Sequence, residues 1–277
     1  MRLIISEKNI GYLASLFIKD RMKSAADSLD KGSGGGAKNK NFVLGLPTGG
    51  TAIDMYKNLI ALYEKKEISF KNAATFNLDE YIGLPENHKE SYHSFMRENF
   101  FKHVDIEADN INIPNGNVAD PIKEGQLYEE KIKKAGGIDL LVCGLGENGH
   151  IAFNEPYSSL DSYTRDKQLD ISTIIANSRF FDNDIKKVPK TALTMGIKTM
   201  LEAREVLLLV SGEKKSFALK QLVEGSVSQK WPATALQLHR KLVVITDEAA
   251  CNELTVGTYR YFKRLKDEFS ELENTAP

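Results

Sequence analysis

The stretch NFVLGLPTGGTAIDMYKNLIALYEKK, residues 41–66, sets the pattern that decides the fold. It begins with a short apolar run, continues through a turn rich in glycine and threonine, and ends with apolar residues at helical spacing. A short apolar run bounded by turn residues is typical of a strand buried on both faces of a parallel sheet. The stretch therefore predicts one strand–turn–helix unit of an α/β protein.

The same order recurs along the chain. Further apolar runs suited to strands are AATFNL (73–78), IDLLVCGL (138–145), EVLLLV (205–210) and KLVVIT (241–246). Helical patterns occupy residues 91–104, 124–136 and 213–225, and a last helix follows the final run. Alternating strands and helices predict a doubly wound, mostly parallel sheet with helices on both faces. Because the composition shows no break, we expect residues 1–277 to form a single α/β catalytic domain.

The composition is that of an ordinary globular protein and argues against several classes. Hydrophobic residues make up 42% and charged residues 27%, and the formal net charge is −1, so no charge excess favours nucleic acid or anionic membranes. No apolar run approaches the ~20 residues that span a bilayer, and MRLIISEKNI turns polar too early for a signal peptide. Cys143 and Cys251 are too few for a disulfide framework or a four-ligand zinc site. We expect a cytoplasmic protein without nucleic-acid or membrane partners.

The segment KGSGGGAKNK, residues 31–40, interrupts the regular pattern. Its glycine and serine content favours a flexible surface loop between the first helix and the strand at 41–46. No strand precedes it, which argues against a role in binding phosphate.

Ligands of parallel α/β sheets bind beyond the carboxyl ends of the strands, so the residues after each predicted strand are candidates for a site. The turn PTGGT (47–51) offers N–H groups and a helix N-terminus to an anion, although a plain tight turn explains it equally well. It matches neither the Walker A nor the Gly-x-Gly-x-x-Gly pattern. In SGEKK (211–215), two lysines oppose the dipole of the following helix, which suggests a second anion site, although solvated lysines explain them equally well. Two such sites indicate a phosphorylated small molecule.

Two titratable side chains also follow predicted strands. Asp79 suits either a helix cap or a general base. His150 lies in the turn GENGH, where a catalytic role competes with that of a hydrogen-bonded core histidine, and Glu155 could orient its ring. No His-Glu-x-x-His and no Gly-x-Ser-x-Gly motif is present, so neither a zinc site nor a serine nucleophile is indicated. The residues alone indicate acid–base chemistry on a phosphorylated metabolite, with no metal and no redox cofactor.

Five motifs in chain order carry a resemblance to a known family. They are VLGLPTGGT (43–51), FNLDEYIGL (76–84), SYHSFM (91–96), GHIAFNEP (149–156) and NSRFF (177–181). Together they closely resemble the glucosamine-6-phosphate deaminase family, over nearly the whole chain to RYF at 260–262. The main interruption is the Gly/Ser-rich stretch at residues 32–37. The resemblance implies a hydrolytic, isomerising deamination of glucosamine 6-phosphate to fructose 6-phosphate and ammonia, in the catabolism of amino sugars such as N-acetylglucosamine.

The resemblance also implies roles for individual residues. Asp79 would move a proton from carbon 2 to carbon 1, and His150, oriented by Glu155 and Asn148, would move a proton at the ring oxygen. The residues implied to bind the substrate phosphate are Thr48, Gly49, Gly50, Thr51, Arg179 and Lys215. Residues 169–189 are implied to form a mobile lid over the site.

Asn148 departs from the many family members that carry Asp at this position, although other branches also carry Asn. An amide cannot carry a negative charge, but it can still hold a neighbour by a hydrogen bond. The hypothesis is that Asn148 orients His150 and does not stabilise its charge.

A second site is implied by those family members that are hexamers activated by N-acetylglucosamine 6-phosphate bound between subunits. The residues that match are Met1 (through its amino group), Ser158, Ser159, Arg165, Lys167 and Tyr261. Cations and hydroxyls of this kind suit a phosphate. We therefore expect a homohexamer with an allosteric sugar phosphate as a second ligand.

Three alternatives stay open. A 6-phosphogluconolactonase shares the fold and a related Gly-His motif, but FNLDEY and GHIAFNEP argue against it. A sugar-phosphate-sensing binding module usually carries a DNA-binding domain, for which this chain has no basic stretch. A ribose-phosphate isomerase is the weakest of the three.

Overall fold

The computed structural model describes residues 1–7, 9–31 and 41–265. The strands are β1 (Arg2–Ser6), β2 (Phe42–Leu46), β3 (Ala73–Asn77), β4 (Asp79–Tyr81), β5 (Ile111–Asn112), β6 (Leu140–Gly144), β7 (Arg165–Gln168), β8 (Thr191–Thr194), β9 (Glu205–Val210) and β10 (Leu242–Asp247). The α-helices are α1 (Ile10–Lys31), α2 (Gly50–Glu64), α3 (Tyr92–Asn99), α4 (Pro121–Lys134), α5 (Ile171–Asn177), α6 (Ile197–Leu201), α7 (Ser216–Glu224) and α8 (Val256–Arg264). The Gly/Ser-rich segment predicted as a loop lies outside the described residues from residue 32 onward.

Seven strands form a sheet in the order β1–β10–β9–β6–β2–β3–β5, and every neighbouring pair is parallel. From β2, the chain adds β3 and β5 on one side and β6, β9 and β10 on the other. This change of direction opens a crevice at the carboxyl ends of β2 and β6, where ligands of such sheets bind. The doubly wound, mostly parallel fold predicted from the sequence is confirmed.

Helices cover both faces of the sheet, and successive apolar side chains of each strand point to alternate faces. Leu44 and Leu140 pack on one face in a cluster with residues of α1, α2 and α3. Val43 and Leu141 pack on the other face with residues of α4, α6 and α7. Because successive side chains of a strand point to opposite faces, a strand buried on both sides reads as a continuous apolar run. No helix in the described ranges combines the length and the apolarity needed to cross a membrane.

A second, three-stranded sheet in the order β4–β8–β7 was not predicted. Its pairs are antiparallel, and Asp79 of β4 lies opposite Thr194 of β8. The strands β4 (DEY) and β7 (RDKQ) are short and polar, so they lack the apolar pattern that identifies a strand from sequence. The short edge strands β1 and β5 were also missed. The small sheet matters because it carries Asp79.

Gly45 lets the side chain of Leu141 lie across β2 at the centre of the sheet. A Cβ atom at residue 45 would lie 2.3 Å from Leu141 Cδ1 and 3.3 Å from its Cα, and Leu141 is itself fully buried. We expect Gly45→Ala to lower the free energy of unfolding by about 1–3 kcal/mol, the usual cost of overpacking a core.

Chemical denaturation with an unchanged m-value checks this expectation. The matched control is Gly257→Ala in α8, where a new Cβ meets no atom within 4 Å. That control should be neutral or slightly stabilising, because alanine favours helix more than glycine does. Equal stability of the Gly45→Ala variant and the wild type would contradict the packing argument.

Candidate active site

A cavity of about 450 Å³ opens at the carboxyl ends of β2 and β6. Its walls come from the turn after β2, from β4, from the loop after β6, from α5 with the turn that follows it, and from the start of the segment before α7. The sequence-predicted residues that line it are Thr48, Gly49, Gly50, Thr51, Asp79, Asn148, His150, Arg179 and Lys215. Glu155 is not in the lining and lies behind His150. Lys214, the less favoured of the two lysines, is not in the lining either.

The turn after β2 presents the N-terminus of α2 to this cavity. Gly49 precedes the helix with φ +94°, a conformation that a side chain would strain. A Cβ added at Gly49 or Gly50 would meet no atom within 4 Å, so the backbone here borders open space. The first N–H groups of a helix have no intrahelical partner and attract anions. The geometry therefore supplies an accessible anion-binding turn.

Two cations complete the wall around that space. Arg179 lies in the short turn after α5, with its guanidinium 4.7 Å from the ring centre of Phe180. Lys215 follows the tight turn at Gly212, and its pKa is lowered, chiefly by burial. The charge of Glu147 partly opposes this, and the charges of Arg179 and Lys214 add smaller lowering effects. Positive charges held this close are costly without an anion, so a phosphate between them would offset their repulsion.

Asp79 is the buried carboxylic acid of the cavity, with 6% of its surface exposed. Burial raises its pKa well above the ordinary range, and the neighbouring charge of Glu80 raises it further. A carboxylate with a raised pKa is a stronger base once ionised. The helix-cap interpretation does not hold, because the side chain that caps α3 belongs to Ser91, which accepts a hydrogen bond from Ser94 N.

Glu80, which the sequence analysis did not select, anchors this region from behind. It is 1% exposed, and its oxygens accept hydrogen bonds from the backbone N–H groups of Tyr81, Tyr92 and His93 at 2.8–3.0 Å. Its Oε2 also lies 2.8 Å from Nδ1 of His93. Glu80 therefore fixes the N-terminus of α3 against β4, directly beside Asp79. The DEY pattern alone gave no signal of this role.

His150, Asn148 and Glu155 form a connected group beyond β6. Asn148 Nδ2 donates to Glu155 Oε2 at 3.2 Å, and Asn148 Oδ1 accepts from the backbone N–H of His150 at 3.2 Å. Nδ1 of His150 lies 3.5 Å from Glu155 Oε2, an ion-pair separation that stops short of a formed hydrogen bond. Burial raises the pKa of Glu155, but the His150 ring and the Asn148 amide outweigh it and hold that pKa below its usual range. Glu155 thus stays ionised against the imidazole.

Two glycines shape the turn that presents His150. A Cβ at Gly146 would lie 2.4 Å from atoms of the His150 ring, so the ring rests directly on that backbone. Gly149 adopts φ +81°, and a Cβ there would lie 2.5 Å from Cε3 of Trp231. Trp231, which the sequence analysis did not select, therefore supports the turn from outside the cavity.

The six residues of the expected regulatory site lie elsewhere and in two groups. Ser158, Ser159, Arg165 and Lys167 lie in or just before β7, which packs against α4 and β8. Met1 adjoins β1 and Tyr261 lies on α8, which packs against β1. Among the described residues, none of the six lines the catalytic cavity.

Within the first group, two side chains keep unused hydrogen-bonding capacity. The Oγ of Ser158 is buried and makes no hydrogen bond to the described residues. Arg165 donates from Nη1 to Asn154 Oδ1 at 2.9 Å, and burial lowers its pKa although Asp166 opposes this.

Comparison with known proteins adds an independent line of support. Residues 19–245 match the family described as glucosamine-6-phosphate isomerases/6-phosphogluconolactonase. The chain is 52% identical over 268 residues to a glucosamine-6-phosphate deaminase of Parabacteroides distasonis, with 96% of each chain covered. It is 58% identical over 225 residues to one of Pasteurella multocida, with 81% of this chain and 84% of the relative covered.

Solved structures agree on the fold. A monomeric glucosamine-6-phosphate deaminase superposes with a TM-score of 0.83 at 38% identity, covering 90% of this chain and 98% of its own. A 6-phosphogluconolactonase of Trypanosoma cruzi superposes with a TM-score of 0.71 at 19% identity, covering 92% and 97%, which shows the shared fold alone. By the match over residues 19–245 and the identities above 50%, this chain belongs to the glucosamine-6-phosphate isomerase/6-phosphogluconolactonase family.

Proposed function

We propose that this protein is a glucosamine-6-phosphate deaminase, which converts glucosamine 6-phosphate and water to fructose 6-phosphate and ammonia. The observation that carries the proposal is one cavity in which a buried carboxyl group, a histidine backed by a glutamate, and an anion-binding turn with two cations face one another. The names of the relatives that are more than half identical support the same substrate. The likeness to a lactonase, at 19% identity, shows the fold and does not extend to the substrate.

The phosphate of the substrate binds at the turn Thr48–Thr51, between Arg179 and Lys215. The N-terminus of α2 supplies N–H donors, and Arg179 supplies a planar guanidinium suited to bidentate contact with phosphate oxygens. The lowered pKa of Lys215 supports this assignment, because a dianion at that point would favour the charged lysine.

Asp79 and His150 divide the proton transfers. His150, next to ionised Glu155, moves a proton to or from the ring oxygen and opens the sugar. Asp79 then removes the proton on carbon 2 and returns it to carbon 1, which leaves an imine at carbon 2 that water hydrolyses to the ketone and ammonia. Since the proton moves within the substrate, the reaction requires no redox cofactor and no metal.

The segment 169–189 acts as a lid in this proposal. It packs against the small sheet through Leu169, Ile174, Phe181 and Val188, and it carries Arg179. Its helix α5 leaves Ile171 and Ile175 more than half exposed, which supports a segment held by only one face. Closure over bound phosphate would couple substrate binding to catalysis. We take residues 1–277 as one cytoplasmic catalytic domain that acts in amino-sugar catabolism.

The proposal extends to regulation by N-acetylglucosamine 6-phosphate in a homohexamer. Ser158 Oγ, which makes no hydrogen bond to the described residues, and the half-buried guanidinium of Arg165 are groups suited to a phosphorylated ligand. Tyr261 lies on α8, which packs against β1, whereas β7 belongs to the other sheet and packs against α4 and β8, and this arrangement supports a site completed by a second subunit. A related deaminase is monomeric, so assembly is a property to be tested in this chain.

The first prediction concerns Asp79. We expect Asp79→Asn to reduce ammonia release from glucosamine 6-phosphate by ~10³-fold, within the range for loss of a general base. We also expect the variant to be more stable than the wild type at pH 7. The folded-state pKa of Asp79 is raised, so wild-type stability falls as pH rises from the unfolded value, about 3.9, towards the folded value.

The gain in Tm for Asp79→Asn should therefore shrink at pH 3, where both states of the wild type keep the proton. Thermal melts at the two pH values, beside an ammonia assay, measure both effects. The exposed Asp109→Asn is the matched control and should change neither property. Wild-type protein that releases no ammonia but hydrolyses 6-phosphogluconolactone would overturn the proposed function.

A second prediction separates orientation from charge at Asn148. We expect Asn148→Asp to lower kcat/KM about fivefold, because the hydrogen bond from Nδ2 to Glu155 gives way to repulsion between carboxylates. Asn148→Ala, which removes the hydrogen bonds to Glu155, Ser172 and His150, should lower it further. Full pH profiles of the three proteins decide the matter, and an Asp variant with a much higher rate and a shifted profile would contradict the orienting role.

A third prediction tests regulation. N-acetylglucosamine 6-phosphate should increase the rate at low glucosamine 6-phosphate, and Lys167→Gln should raise the half-activating concentration about tenfold, as expected for the loss of a charged phosphate contact. The exposed Lys131→Gln in α4 is the control and should respond like the wild type. Light scattering should give a hexamer. Hyperbolic kinetics that the acetylated sugar leaves unchanged would remove the allosteric part of the proposal.

A further inference from the structure

We propose that Tyr81 is a positioning residue that sets the spacing between Asp79 and Arg179, and so between the base and the phosphate site. The proposal rests on the roles given above to Asp79 and Arg179. It adds a residue that takes no part in the proton transfers or in phosphate binding but holds Asp79 and Arg179 at a fixed spacing.

Tyr81 shares a strand face with Asp79. The two residues are the first and last of β4, and side chains two positions apart in a strand point to the same side. Both are buried and both line the cavity. Pairing with β8 holds both ends of β4, since Asp79 lies opposite Thr194 and Tyr81 opposite Ala192. The position of Tyr81 is therefore fixed relative to the base.

Tyr81 also contacts the segment that carries Arg179, once on each side of it. Asn177 Nδ2 donates a hydrogen bond of 2.9 Å to the Tyr81 hydroxyl oxygen. The ring of Phe181 packs edge-on against the Tyr81 ring, with centroids 5.9 Å apart and an interplanar angle of 81°. Asn177 and Phe181 stand two residues before and two residues after Arg179. The backbone that carries Arg179 cannot shift far relative to β4 unless one of these contacts breaks.

The Tyr81 ring is held from its other sides as well. Its centroid lies 5.0 Å from that of Tyr92 and 5.5 Å from that of Phe153. Burial raises the pKa of Tyr81, so the hydroxyl stays neutral across the working pH range. Tyr81 is thus a buried, neutral residue of β4 whose side chain contacts the lid segment. It can therefore hold that segment at a fixed distance from Asp79.

The spacing has a chemical consequence. The phosphate and the carbon that loses its proton belong to one substrate molecule, and both must reach their partners together. A misplacement of ~1 Å can cost on the order of 10²-fold in rate. Free inorganic phosphate has no such requirement, because it needs only its own pocket. A loss of spacing should therefore impair the substrate and leave inorganic phosphate unaffected.

The experiment uses Tyr81→Phe, Asn177→Ala and the double variant of the full-length protein. We expect each single variant to lower kcat/KM for glucosamine 6-phosphate about fivefold, the size of one ordinary hydrogen bond. The Tyr81 hydroxyl also interacts with that of Tyr92, so the reference is Tyr81→Phe: the double variant should be no worse than Tyr81→Phe alone, because both lack the bond to Asn177. The inhibition constant of inorganic phosphate should stay at the wild-type value in each. Tyr259→Phe, which removes a hydroxyl bonded to Glu248 away from the cavity, should behave like the wild type.

Four outcomes overturn the proposal. Unchanged kcat/KM in both single variants shows that the contact sets no spacing, and a parallel loss of inorganic phosphate affinity shows that Tyr81 shapes the pocket itself. Additive losses in the double variant show two independent roles. Arg179→Ala tests the underlying assignment separately: if it leaves phosphate inhibition unchanged, the phosphate site is misplaced and the spacing role falls with it. Asn177→Ala keeps the test valid should Tyr81→Phe fail to fold.

Discussion

The site depends on keeping two adjacent carboxyl groups, Asp79 and Glu80, buried at the point where the chain leaves the main sheet. Two neighbouring carboxylates in a dry environment repel each other, and each loses its hydration. The two carboxyl groups differ in their hydrogen-bond partners. Glu80 receives three backbone N–H groups and lies against His93, so its charge is compensated, whereas Asp79 bears the cost as a raised pKa. The asymmetry leaves one spectator carboxylate and one strong base.

The small antiparallel sheet follows from that requirement. Without the small sheet, residue 79 would lie on a loop beyond the end of β3. Instead the chain turns after Leu78 and pairs with β8, which gives Asp79 a strand position and a fixed backbone. The same three-residue strand then places Tyr81 on the face of Asp79 and Glu80 on the opposite face, towards α3. One short strand thus carries Asp79, the Glu80 carboxylate beside it, and Tyr81, which contacts the lid segment.

The sequence predicted the main sheet well because its strands are buried on both faces, which produces apolar runs that no other element of this length shows. It also predicted the candidate turns, since glycines at 49 and 149 mark backbone conformations that side chains resist. Local pattern could not predict β4 or β7, whose residues are polar, nor the support from Glu80 and Trp231, which depends on partners distant in sequence. Arg179 came from the family resemblance alone, because a turn within a polar segment carries no periodic signal. These features were not predicted for one physical reason. Contacts between elements position the site residues, whereas hydrophobic periodicity indicates only which face of each element is buried.

The cavity is lined by two kinds of charged group, the cations Arg179 and Lys215 and the acid–base groups Asp79 and His150. The formal net charge of the whole chain is only −1, so long-range steering cannot account for capture of an anionic sugar. Under the proposed function, Arg179, Lys215 and the N-terminus of α2 would meet the phosphate of the substrate, and Asp79 and the Glu155–His150 pair would meet its sugar. Burial lowers the pKa of Lys215, and in the proposed complex a phosphate beside it would favour the charged form. By linkage, the same interaction that retains the phosphate also stabilises the charged lysine, so the pocket is matched to a dianion more closely than to a neutral sugar. Selection for a phosphorylated substrate then follows from the cost of leaving these cations unpaired, and the orientation of the substrate follows from the separation of the two kinds of group.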